Sequence, residues 1–167
     1  SWDVFPYILN KERSGLKINS GYGNMEKDAE QYMVNKVQSE AIYDKTETRF
    51  DQLTFITAKE YIRKHNPKIV YLGFGETDEM AHQSRYDLYL EKAAQIDKMI
   101  AELWHWVQST PGYKDNTTFI ITTDHGRGAQ SNKWNDHGSF IKGSSQIWLA
   151  VIGPNIKSFG EIKGEEQ

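Results

Sequence analysis

Three short apolar runs constrain this chain most: KIVYLGF at Lys68–Phe74, TTFIITT at Thr117–Thr123 and QIWLAVI at Gln146–Ile152. Each is bounded by turn residues around an apolar centre, as strands buried on both faces are. Between the first two, Leu90, Ala93, Ala94, Ile100, Leu103, Trp104 and Val107 return every three or four residues until Pro111–Gly112, which is the period of one long helix. Ser84 with Asp87 three residues later gives that helix a capping-box-like start. Strand, long helix, strand is the βαβ unit. The expected fold is therefore α/β, a mainly parallel sheet with helices on both faces.

The rest of the chain adds elements without dividing it. Ala29, Met33, Val37 and Ala41 line one side of a helix expected over Glu26–Tyr43. A second helix is expected over Phe50–His65, with Leu53, Ile56, Thr57, Tyr61 and Ile62 in period and Asn66–Pro67 as its stop. Trp2–Leu9 reads as a short strand broken by Pro6, and Asn10–Asn24 as a polar loop. No repeat or linker interrupts the 167 residues, so residues 1–167 are expected to form a single domain. With 20 basic against 23 acidic residues, the net charge of -3 gives no electrostatic basis for nucleic-acid binding. No apolar run reaches the roughly 20 residues of a membrane-spanning helix. Cysteine is absent, which excludes thiol catalysis and leaves His, Asp, Glu and backbone oxygen to hold any metal.

In open α/β sheets ligands gather beyond the carboxyl ends of strands, and both candidate strand ends carry Asp and His. After Phe74 comes GETDEMAH, with Asp78 and His82 one helical turn apart. After Thr123 comes Asp124–His125–Gly126, and His137 follows in NDHGSF. Carboxylate oxygen and imidazole nitrogen together suit zinc or a similar divalent ion. Each pair alone reads first as a turn or cap hydrogen bond, and the placement of all five residues at one edge reverses that in favour of metal ligation. In the same loop Arg127 and Lys133 are candidates to meet a phosphate, and Trp134 to stack on a substrate ring, against the plainer readings of solvated charge and core cover. Glu76 and Glu79 read as solvated neighbours of Asp78. His65 and His105 read as structural.

The ordered set Asp78…His82, long helix, Asp124–His125–Gly126, His137–Gly138 resembles the carboxyl-terminal portion of the alkaline phosphatase superfamily, closest to its type I phosphodiesterase, nucleotide pyrophosphatase and phosphoglycerate-mutase-like branch. The resemblance runs from about Lys68 to Pro154. It implies two divalent metal ions, zinc or in some branches manganese, with Asp78, His82 and His137 on one and Asp124 and His125 on the other. It implies a phosphorylated small-molecule substrate attacked by a Ser or Thr nucleophile, with water then cleaving the phospho-enzyme. Sulfatases and phosphomutases of the same superfamily share this ligand grammar, and a non-catalytic metal-binding α/β domain is the further alternative. The nucleophile has no counterpart here, because Ser14 and Ser20 lie in a polar loop and not on a strand-to-helix turn. The chain is accordingly expected to be the carboxyl-terminal part of a longer catalytic domain and to be inactive alone.

Overall fold

A computed structural model describes Gly15, Lys17 and residues 29–41 and 48–162. The expected strand at Trp2–Leu9 lies outside the described residues, as does almost all of the expected loop at Asn10–Asn24. In order the elements are α1 (Ala29–Ala41), α2 (Asp51–His65), α3 (Glu76–His82), α4 (Tyr86–Ser109), β1 (Phe119–Thr122) and β2 (Leu149–Ile152). The chain divides into two compact units, Ser1–Ile100 and Ala101–Gln167.

In the first unit, α2 ends where Asn66 enters the left-handed region at φ 46°, its N–H donating to the Ile62 carbonyl at 3.1 Å. Asparagine tolerates that conformation, and Pro67 bars any further turn. α1 reverses the expected orientation. Met33 is 60% and Val37 47% exposed, whereas Gln31, Asn35 and Gln38 are buried. The reason lies just before α2. Arg49 is buried, and its guanidinium donates to Asn35 Oδ1 and Thr57 Oγ1, both at 3.2 Å, while the Phe50 N–H donates to Gln38 Oε1 at 3.2 Å. A buried cation without acceptors costs more than a few exposed methyl groups, so the polar stripe turns inward.

Lys68–Phe74 forms no strand among the described residues, and Ile69 and Tyr71 are 87% and 73% exposed. Its apolar content matches a buried strand, but a strand exists only by pairing, and no ladder forms there among the described residues.

In the second unit, β1 and β2 pair antiparallel, Phe119 opposite Ile152 and Thr122 opposite Leu149. This departs from the expected parallel arrangement. The polar segment joining them has no crossover helix to return the chain in the same direction, and it folds back through successive turns. Helices and strands are both present, and the described sheet is this one antiparallel pair. Trp104 on α4 meets the Phe119 ring edge-on with centroids 5.1 Å apart, which seats the strand pair on the helix. Gly153 permits the closing approach, since a Cβ there would lie 2.6 Å from Thr118 Oγ1.

Candidate metal centre

In the first unit the candidate residues lie on α3, and two buried acids hold its start. Asp51 Oδ1 accepts the Gly75 N–H at 2.8 Å and the Glu76 N–H at 3.4 Å, so a residue of α2 caps α3. Glu76 reciprocates: its Oε2 accepts the Asp51 N–H at 2.7 Å, capping α2. Lys92 Nζ on α4 lies 2.7 Å from Glu76 Oε1 and balances part of the charge. Burial pushes the Asp51 carboxyl up to about 6, partly offset by the Gly75 N–H and reinforced by the charge of Glu76. Glu76 is therefore a buried cap at 4% exposure, not the solvated neighbour that the sequence suggested. One turn on, Asp78 and His82 share a face, with Asp78 Oδ2 3.3 Å from His82 Nε2 and each side chain about two-fifths exposed.

α4 starts at Tyr86, so Arg85 and not the expected Ser84 immediately precedes it. Ser84 takes φ 59°, and Asp87 is gripped by the Arg85 fork at 3.0 and 2.6 Å, which pulls its carboxyl down to about 2.

The second unit carries the other three candidate ligands in two turns of the same build. Asp124 Oδ1 accepts the His125 N–H at 3.0 Å, and Asp136 Oδ1 accepts the His137 N–H at 2.9 Å. Each triplet closes on a glycine. The turns bring the two imidazoles face to face, 3.7 Å between centroids and 15° between planes. His125 Nδ1 lies 2.9 Å from the Gly126 carbonyl oxygen. A carbonyl only accepts, so Nδ1 is the donor in this contact, and in the neutral ring the lone pair then lies on Nε2. Nε2 is 3.8 Å from Asp124 Oδ1, whose side chain is 86% exposed.

The loop is close-packed around its glycines. A Cβ on Gly126 would lie 2.3 Å from the Gln146 and Gly143 carbonyls, and one on Gly128 2.2 Å from the Lys133 carbonyl. Arg127 and Trp134 are half-buried in this loop and Lys133 is exposed. The Lys133 backbone donates to the Gln130 carbonyl at 2.8 Å and accepts the Asp136 N–H at 3.1 Å.

The Asp78–His82 pair has donors and spacing that fit a divalent ion. Ligands 2.0–2.2 Å from a tetrahedral zinc sit about 3.3–3.5 Å apart, and the Asp78–His82 separation of 3.3 Å meets that value. Partial exposure spares both groups the cost of a buried charge. Sequence reasoning missed Asp51 and Asp136 and read Glu76 as solvated. For Asp136 a signal existed, since Asp-His-Gly recurs twelve residues after its first occurrence.

A family profile described as Metalloenzyme superfamily matches residues 11–145, which include all five candidate ligands. The chain belongs to the metalloenzyme superfamily, whose members are alkaline-phosphatase-like. Among curated proteins, Arylsulfatase K of Danio rerio is 31% identical over 74 residues, covering 44% of this chain. The match spans 14% of that relative's length. No solved structure matches. The superfamily includes hydrolases such as sulfatases and phosphatases, and membership implies binding of divalent metal. Among the described residues no helix is long and apolar enough to cross a membrane.

Proposed function

We propose that this chain is part of a metal-dependent hydrolase of phosphoric esters, in which Asp78, His82, Asp124, His125 and His137 supply ligands to two divalent ions, zinc or manganese. The proposal includes a longer alkaline-phosphatase-like catalytic domain with a mainly parallel sheet, and a Ser or Thr nucleophile that is none of the residues described here. One observation carries it: the stacked His125 and His137 imidazoles, held in twin Asp-His-Gly turns of a chain in a metalloenzyme superfamily. Bound divalent ions supply nucleophile activation and stabilisation of the leaving oxygen. The chain's own residues hold and orient. The Gly126 carbonyl keeps His125 in the tautomer that presents Nε2, and the Asp51 cap holds α3 so that Asp78 and His82 stay on one face. Arg127 and Lys133 are assigned to charge compensation of an anionic substrate, and Trp134 to packing against its organic part.

Zinc titration of the chain by calorimetry tests the ligand set. Asp78→Ala and His125→Ala are each expected to weaken binding at least tenfold; affinities equal to the unaltered chain in both would refute it. The match to Arylsulfatase K supports a second reading, a sulfuric ester hydrolase with the same ligands. Assays of the natural-length protein with nitrophenyl phosphate, bis-nitrophenyl phosphate and nitrocatechol sulfate separate the two. Turnover confined to the sulfate ester would replace the first reading by the second.

A further inference from the structure

Ser144 touches both histidine-bearing turns, and at the same place in each. Its carbonyl accepts the Gly126 N–H at 2.7 Å and its hydroxyl oxygen accepts the Gly138 N–H at 3.1 Å. Both donors are the third residue of an Asp-His-Gly triplet, immediately after the imidazole-bearing residue. Ser144 is itself anchored to the second turn. Ile141 N–H donates to the Gly138 carbonyl at 3.0 Å and Ser144 N–H to the Ile141 carbonyl at 3.1 Å, two successive turns that bring Ser144 back to the triplet it binds. The close approach has no slack. A Cβ on Gly143 would lie 2.4 Å from the Arg127 carbonyl, and Gly143 sits at φ 103°, where a side chain is strained. The segment carrying Ser144 is thus pressed flat on the chain that follows His125.

We infer that Ser144 is a positioning residue for both imidazoles, one side chain and one carbonyl setting the separation of His125 from His137; as a statement about metal binding, this rests on the ligand set proposed above. Its hydroxyl is the variable half of the clamp. The carbonyl bond to Gly126 survives any substitution at Ser144, whereas the bond to Gly138 needs a side-chain acceptor of serine's reach. Loss of that bond frees the turn carrying His137 to move relative to His125.

The experiment uses the chain itself with Ser144→Ala and Ser144→Thr, and reads two things. Face-to-face stacking at 3.7 Å puts each imidazole's ring protons in the other's shielding cone, so the His125 and His137 ring resonances in the unaltered chain are expected upfield of an exposed histidine's. Ser144→Ala is expected to return them toward ordinary positions with the cross-strand contacts of β1 and β2 intact, and Ser144→Thr to restore the upfield shift. Zinc affinity is expected to fall about 10- to 100-fold in Ser144→Ala and to recover in Ser144→Thr. Unchanged ring resonances in Ser144→Ala would overturn the inference whatever the zinc affinity. If the unaltered chain binds no zinc, the ligand proposal fails, and the ring resonances alone then decide the role of Ser144. Should Ser144→Ala not fold, hydrogen exchange of the Gly138 amide in the unaltered chain decides instead. Protection supports the clamp, and exchange at the rate of an open loop refutes it.

Discussion

Asp51 shows how much one side chain's setting alters its chemistry. In the sequence it is an ordinary acid at a helix start, yet folding buries it at 3% exposure beside Glu76. Its folded-state value near 6 exceeds the 3.8 of the unfolded chain, so between those values the folded state binds more protons. Stability contributed by this group therefore falls as pH rises from about 4 to about 6 and stays level above. At about 1.4 kcal/mol per unit the span is of order 3 kcal/mol. Asp51→Asn keeps an oxygen acceptor for the Gly75 N–H and is expected to remove that slope. Urea unfolding of both proteins at pH 4.5 and pH 7 measures it, and equal slopes would show that Asp51 is not the source. Asp87 and Glu60, held below their ordinary values by Arg85 and Arg63, act in the opposite sense and remain in both proteins. The five candidate ligands were legible as residues because their chemistry belongs to the side chain itself. Asp51 and Ser144 were not, because their roles exist only through partners such as Glu76, 25 positions away from Asp51.

At the scale of elements, local chemistry predicted boundaries well and faces poorly. Asn66–Pro67 ends α2 and Pro111–Gly112 follows the end of α4 because these residues act on their own backbone. The inward face of α1 was set by Arg49, which lies outside the helix and finds acceptors in Asn35 and Thr57. The loop between β1 and β2 depends on its glycines. Gly126→Ala is expected to cost about 2 kcal/mol or more, because a Cβ 2.3 Å from two carbonyl oxygens must move backbone and not a flexible side chain. Thermal unfolding followed through the tryptophan signal measures it, and a change under 0.5 kcal/mol would mean that the loop yields freely. Asn66→Ala is expected to cost about 1 kcal/mol, because alanine lacks the short polar side chain with which asparagine offsets the left-handed region, while Asn66→Gly should be close to neutral. Comparing the two midpoints checks the origin of that cap.

For the whole molecule, superfamily membership and the ligand proposal together predict a linkage. A ligand that binds only the folded chain stabilises it by about 2.7 kcal/mol at one hundred times its dissociation constant. Zinc in that excess is expected to raise the melting temperature by several degrees, chelator to reverse the shift, and the double variant His125→Ala/His137→Ala to abolish it. A shift that persists in the double variant would place the ion elsewhere.

Read alone, the sequence determined the chemistry available and where its elements stop. It showed five oxygen- and nitrogen-bearing ligand candidates in a fixed order, no thiols, and Pro, Gly and Asn at the ends of helices, all properties of single residues and their immediate neighbours. Tertiary structure decided which face of α1 is buried, that β1 and β2 run antiparallel, that Lys68–Phe74 joins no ladder among the described residues, and which distant groups brace the candidate ligands. Those outcomes depend on hydrogen bonds between residues far apart along the chain. Such bonds are made according to which polar groups are buried together, and that is settled only when the chain is folded.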